Sequence, residues 1–395
     1  MNILFHAHEF NLKEGGPCTK RINSFANYLT EQGHRVTIIT SSHNKSTESK
    51  ENTKNKEYQI VYAYSTKKMK KSTIHRLLNN FLFGLTSFFK ALIKTKKVDV
   101  VVTTSPPPLI SIFGYWIAKI KKAKLVYDVR DIWPDVAIEM ESFKKGSFYD
   151  KVFSVIAKFM YKHSDIITTV TPGKVTKIEK YVDNAKKVKY IPNGYDENLT
   201  KFEIDMKLVE KYHLKDKFTI VYIGNVGLAQ NLDALVNLAQ NNKNNSNMQF
   251  LVFGEGAYKK QLEDKIKQLD LNNISLEGKI DYSKVHTILK YSRISFISLK
   301  NTKMTDSVPT KMFDALGVGC PVLLLAKGDS CDILREAMLG ESAENIEELN
   351  EKFDSMIENY KDYEKNKQKA IQYVIKYYSR KEIAKNIERE LIKLC

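Results

Sequence analysis

Cysteine is scarce in this chain: Cys18, Cys320, Cys331 and Cys395 are the only four among 395 residues. None forms a C-x-x-C spacing, so they read as reduced thiols of a cytoplasmic protein. Long apolar runs are missing too. Each is broken by Lys or Asn well short of the roughly 20 residues that a membrane span requires. The chain opens directly into a strand pattern, Asn2 to Phe5, and a basic-then-apolar leader is not expected. Low-complexity tracts and repeats of solenoid period are absent, which points to a globular protein. Negative charge is the remaining shortage: 46 Asp and Glu face 63 Lys and Arg, a net charge of +17. Such a field favours nucleotides, phospholipid surfaces or nucleic acid as partners. The lack of a low-complexity basic tail weighs against nucleic acid.

The length allows two domains with full cores. Asn2 to His8 reads as a strand, followed by a loop carrying Gly15 and Gly16. A helix then runs from about Thr19 to Gln32, and Val36 to Thr40 is the next strand. Tyr58 to Tyr64, Val98 to Thr104, Lys124 to Val129, Asp165 to Thr171 and Val188 to Pro192 continue the series. A second series starts at Phe218 to Ile223 and includes Met248 to Phe253, Ile274 to Leu276, Ile294 to Leu299 and Pro321 to Leu325. Two strand-helix series in tandem predict an α/β protein of two Rossmann-like domains facing across a cleft. The expected division is 1–195 for the first domain and 196–377 for the second. A terminal helix of about 378–395 is expected to pack back on the first.

Between Thr66 and Lys97, Leu77, Leu78, Phe81, Leu82, Leu85, Phe88, Phe89, Leu92 and Ile93 recur at helical spacing. Lys67, Lys68, Lys70, Lys71 and Arg76 precede the stripe, and Lys90, Lys94, Lys96 and Lys97 close it. This is the pattern of a helix lying on an anionic bilayer, and equally of a crossover helix whose stripe is core. The C-terminal half is expected in the core and the basic N-terminal end at a membrane.

The stretch from Asp306 to Leu325 carries the most chemistry. Ser307 suits an N-cap and Pro309 the first helical turn, with Met312, Phe313 and Leu316 as one apolar face. A helix start presents free N–H groups and a positive dipole end to a phosphate, and Lys311 adds a full charge. Asp314, one turn on, is placed to accept hydrogen bonds from ligand hydroxyls, and Asp306 lies on the loop side. The same features also suit a merely capped helix. Elsewhere, Arg130, Asp131 and Trp133 follow a strand whose C-terminal end is a natural ligand position.

Taken together, Glu14-Gly-Gly-Pro, Thr104-Ser-Pro-Pro, Val129-Arg-Asp-Ile-Trp-Pro-Asp135 and Ile191-Pro-Asn-Gly194 resemble the family-4 glycosyltransferases of the two-Rossmann, B-type fold. Tyr222-Ile-Gly-Asn-Val-Gly-Leu-Ala-Gln230, Phe253-Gly-Glu-Gly256 and Ser307-Val-Pro-Thr-Lys-Met-Phe-Asp314 extend the likeness over nearly the whole chain. The bacterial branch that builds O-antigens and capsules, with its N-acetylfucosamine transferases, is the one it resembles. The resemblance implies retaining transfer of a sugar, an N-acetylated amino- or deoxyamino-hexose, from a UDP-sugar. The implied acceptor is an undecaprenyl-diphosphate-linked glycan at the inner face of the cytoplasmic membrane. No cofactor or essential metal is implied.

By the same resemblance, Asp314 binds ribose and Asp306 approaches the donor sugar, at positions where the family usually carries glutamates. Each carboxylate is about 1.5 Å shorter in reach. Asn225 and Gln230 stand where many relatives carry an arginine and a lysine, so Lys311 becomes the main cation for the leaving diphosphate. Gly15 and Gly16 lend backbone N–H groups. Gly224, Gly254, Glu255, Ser307, Val308, Pro309 and Thr310 complete the donor contacts. Asp131 is a candidate base for the acceptor hydroxyl, or else caps the following turn. His8, Arg130 and Trp133 are placed on the acceptor side, while Lys67, Lys68, Lys70, Lys71 and Arg76 are expected at the membrane. Two other readings are a UDP-sugar 2-epimerase of the same build and a basic nucleic-acid-binding protein. The amphipathic basic helix argues against the first, and the paired glycine-rich strand-helix loops against the second.

Overall fold

The computed structural model describes residues 1–12, 16–43, 57–66, 73–299 and 304–395. The expectations for Gly15, Lys67, Lys68, Lys70 and Lys71 fall outside these residues. The chain divides into two compact units, Met1–Asn193 with Arg380–Cys395, and Gly194–Ser379.

The first unit is built on seven strands: β1 Asn2–His6, β2 Arg35–Ser41, β3 Gln59–Ala63, β4 Val100–Ser105, β5 Lys124–Val129, β6 Ile166–Thr169 and β7 Val188–Tyr190. Their order is β3-β2-β1-β4-β5-β6-β7, and every pairing is parallel. The Val-rich β4 is buried along its whole length, as a central strand covered on both faces must be. On one face, the helix Pro17–Glu31 lays Ile22, Phe25, Ala26 and Leu29 against the sheet. The terminal helix Arg380–Leu394 joins it there through Ile383, Ala384, Ile387 and Leu391. On the other face lie the helices Thr73–Lys94, Pro108–Lys121 and Phe148–His163.

The Thr73–Lys94 helix departs from expectation. Its inward face is Asn79, Phe83, Ser87 and Ala91, all buried. Leu78, Phe81, Leu85, Phe89 and Ile93 are exposed instead, while Phe88 packs against the core, so the C-terminal half of the apolar stripe is core only in part. The cause is close approach. A Cβ on Gly84 would lie 2.2 Å from the Phe113 ring, and one on Gly114 would lie 2.5 Å from Thr103 Oγ1. Layers packed this tightly leave little room between them, so only part of the apolar stripe turns inward beside Phe83.

The second unit carries β8 Phe218–Ile223, β9 Met248–Phe253, β10 Ile274–Gly278, β11 Ile294–Ser298, β12 Val322–Leu325 and β13 Gly340–Ala343. The order is β10-β9-β8-β11-β12-β13, again parallel throughout. Two cores sandwich this sheet. The strand β13 has no sequence signal, because Gly-Glu-Ser-Ala lacks an apolar run and lies at the sheet edge. The two sheets make the α/β fold of paired Rossmann-like domains.

Candidate functional site

In the second unit the chain switches direction between β8 and β11, the place where open parallel sheets bind ligands beyond their strand ends. The helix Thr310–Gly317 starts there. Pro309 is its N-cap, with extended backbone and no side-chain cap, so Ser307 does not cap the helix as expected. Ser307 instead closes a turn, donating its N–H to Met304 O at 3.3 Å. The reason is local: Pro309 itself keeps extended backbone, so the helix begins only at Thr310.

Lys311 falls in the first helical turn and reaches back over the end of β8. Its Nζ donates to Gln230 Oε1 at 3.1 Å and lies 4.0 Å from the Tyr222 ring centroid. A Cβ on Gly224 would be 3.5 Å from that Nζ. Gln230 is held in turn: Ser298 Oγ, at the end of β11, donates to its backbone oxygen. Burial of the ammonium, with no carboxylate contributing, holds the Lys311 pKa down at about 7. Among the described residues its contacts are a neutral amide and a ring, and a desolvated ammonium so placed gains from an arriving anion. The Gln230 and Tyr222 contacts are the parts that sequence reasoning missed.

The glycine-rich loops after β8 and β9 also pack on each other. A Cβ on Gly254 would lie 1.8 Å from Gly224 O, and one on Gly256 2.1 Å from Val226 O. Gly224 N–H donates to Phe253 O, and Val226 N–H to Glu255 O, each at 2.9 Å. The glycines therefore let the two loops lie against each other. Asn225 accepts the Tyr222 hydroxyl at its backbone oxygen, 2.6 Å away. Glu255 is exposed and paired with Lys259 at 2.7 Å.

Asp306 is buried and Asp314 half-buried. The Asp314 carboxylate lies near Tyr195, whose phenol is pushed up to about 12, mainly by burial. Tyr195 packs on the same helix, since a Cβ on Gly317 would meet its ring at 2.4 Å. Val308 and Thr310 flank Pro309 at the helix start, Thr310 being its first residue.

The first unit has its own cluster at the strand ends. Arg130 donates from Nη2 to Pro106 O at 3.1 Å, and its N–H to Ser105 O at 2.9 Å. Asp131, beside it, is half-buried. Gly16 is exposed and caps the Pro17–Glu31 helix. Trp133 packs edge-on to Phe143 and Phe153, with centroids 5.8 and 5.3 Å apart, so its ring is part of an aromatic cluster. His8 is buried. It faces Phe83 edge-on, and its Nε2 lies 3.3 Å from Asn79 Nδ2. Burial first, and His43 second, lower its pKa to about 4. His6 is likewise internal, bridging Ser87 Oγ at 2.8 Å and Thr103 Oγ1 at 3.2 Å.

Sequence reasoning also missed a buried ion pair. Arg21 reaches Asp128 at 2.9 Å and donates to Pro192 O at 2.6 Å, while Thr168 Oγ1 donates to Asp128 at 2.7 Å. An aspartate inside the apolar strand Lys124–Val129 was the available signal. Among the described residues, no group of three or more His, Cys, Asp or Glu is arranged to hold a metal ion. All four cysteines are free thiols.

Comparison with known proteins divides along the same two halves. Residues 19–199 match the family model described as Glycosyltransferase Family 4, and residues 206–373 match the one described as Glycosyl transferases group 1. An uncharacterised glycosyltransferase of Methanocaldococcus jannaschii is 26% identical over 189 residues, which is 47% of this chain and 45% of that protein. The match thus spans under half the length of this curated relative. Among solved structures, Anabaena HepE bound to UDP superposes over 100% of both chains, with TM-score 0.75 and 14% identity. Sucrose-phosphate synthase of Thermosynechococcus elongatus gives 0.79 and 12%, over 100% of this chain and 99% of that one. WaaG, a glycosyltransferase involved in lipopolysaccharide biosynthesis, gives 0.71 and 13%, over 98% of each. At such identities these likenesses show the fold, which is the B-type glycosyltransferase fold.

Proposed function

From its two glycosyltransferase domains, which make this chain a glycosyltransferase of the B type, we propose a retaining transfer from a UDP-sugar to an undecaprenyl-diphosphate-linked glycan. The sugar in this reading is an N-acetylated amino- or deoxyamino-hexose, and the product belongs to a bacterial surface polysaccharide. The enzyme works without a resident metal, peripheral to the inner face of the cytoplasmic membrane. Solved relatives of the same fold hold UDP and UDP-glucose, and one acts in lipopolysaccharide biosynthesis. Among the described residues no helix is long and apolar enough to cross a membrane.

The observation that carries the reading is Lys311, a desolvated cation at the start of a helix and at the switch point of the second sheet. Negative charge develops on a departing diphosphate as the glycosidic bond breaks, and a preorganised cation with helix N–H groups stabilises that charge. Asp314 binds the ribose hydroxyls and Asp306 approaches the donor sugar. In the first unit, Asp131 orients or deprotonates the acceptor hydroxyl, with Arg130 beside it.

Calorimetric titration with UDP, GDP and ADP in the presence of EDTA tests this. UDP is expected to bind selectively. Asp314→Ala weakens that binding by about tenfold or more, the usual loss for a charged hydrogen-bonding group. Lys311→Ala chiefly slows turnover on saturating donor. Absence of binding by all three nucleotides, or normal turnover of Lys311→Ala, would remove the proposal.

A further inference from the structure

The outward face of the Thr73–Lys94 helix leaves a row of large apolar side chains exposed. Leu78, Phe81, Leu85, Phe89 and Ile93 recur every three or four residues and are 37–75% exposed. The opposite, inward face is anchored by polar contacts. Ser87 meets His6, and Asn79 meets His8 and accepts the Thr66 N–H at 2.6 Å. The neighbouring Pro108–Lys121 helix extends the apolar face with Trp116 and Ile120, 46% and 53% exposed. The two helices are in contact, Phe81 edge-on to Phe113 with centroids 5.7 Å apart.

Charge selects what covers this face. Neither helix contains a single Asp or Glu. Arg76, Lys90 and Lys94 lie on the first, and Lys119 and Lys121 on the second. A symmetric contact between two copies would set these cations against one another with no carboxylate on either helix to answer them. An anionic bilayer answers both features at once, offering phosphates to the lysines and acyl chains to the rings.

We propose that the two helices lie in the plane of an anionic membrane, their outward apolar side chains inserted into the headgroup–acyl boundary. This goes beyond a peripheral location held by charge: insertion by named residues makes attachment partly independent of salt. A helix of 22 residues laid flat gives a footprint about 33 Å long. Trp116 sits within it and serves as a built-in reporter.

The test uses the full chain with vesicles of phosphatidylcholine containing about one quarter phosphatidylglycerol. Co-sedimentation is expected, with a substantial fraction retained at about 0.5 M NaCl, where surface charge is screened. Trp116 emission shifts to the blue on binding, and Trp116→Phe abolishes the shift. A triple variant, Leu78→Gln, Phe89→Gln and Ile93→Gln, changes exposed positions only and lowers partition by about tenfold or more. Its thermal unfolding and its UDP affinity stay as in the parent, which separates this proposal from the donor reading. Three results would overturn it: no vesicle binding, undiminished binding by the triple variant, or a dimer in solution that the triple variant dissolves.

Discussion

Lys311 links burial to pH in a way that can be measured. Its ordinary value of 10.5 falls to about 7 in the folded chain because the ammonium is desolvated. Between those values the unfolded chain holds a proton that the folded chain lacks, so this residue makes stability rise with pH across the window. A diphosphate favours the charged form, so UDP binding at about pH 8 takes up a proton. Titrations in two buffers of different ionisation enthalpy are expected to give different heats for the parent and equal heats for Lys311→Met. Urea midpoints compared at about pH 7 and pH 9 check the stability slope, which that variant loses. The sequence placed Lys311 in the first turn of its helix. It did not reveal Tyr222 and Gln230 as neighbours, because they lie some eighty residues away and meet it only across the sheet.

At the level of elements, two paired features decide the architecture of each unit. In the second, the loops after β8 and β9 interlock through Gly224, Gly254 and Gly256. Gly254→Ala would put a methyl carbon 1.8 Å from Gly224 O, so the loops must part. The expected cost is about 1–3 kcal/mol, seen as a lower melting temperature, with weaker UDP binding as Gly224 moves from Lys311. Unchanged melting would mean that the loops separate freely. In the first unit, Gly84 and Gly114 do the corresponding work for helix packing. Helical periodicity read correctly that residues 73–94 form an amphipathic helix. It expected the C-terminal half of the stripe in the core, where Ala91 and Ser87 are buried and Phe88 packs against the core but Leu85, Phe89 and Ile93 stay exposed.

For the whole molecule, the chain's return is the feature with the largest consequence. Arg380–Leu394 comes back to the first unit, with Glu388 receiving His34 at 2.9 Å and Tyr28 at 3.2 Å. Lys189 pairs with Glu390 at 3.0 Å. Burial of Ile383, Ile387 and Leu391 is worth on the order of 5 kcal/mol. Truncation after Ser379 is therefore expected to raise hydrogen exchange throughout Pro17–Glu31, which shares one core with the removed helix. Amides of β8 and β11 in the second unit keep their protection. Equal protection of Pro17–Glu31 in the truncated and full chains would show that the return helix contributes nothing.

What the sequence determined by itself was local and periodic. Apolar runs set the central strands such as Val100–Ser105 and Phe218–Ile223, and Pro309 with Lys311 marked the helix start that faces the ligand edge. Tertiary structure alone decided which glycines serve packing, which face of Thr73–Lys94 is buried, and that Arg21 and Asp128 neutralise each other inside the first unit. The physical reason is the range of the forces involved. Backbone preference and periodicity act between residues a few positions apart. Close packing, desolvation and ion pairing depend on atoms that sequence separates by about a hundred positions and the fold brings to 2.9 Å.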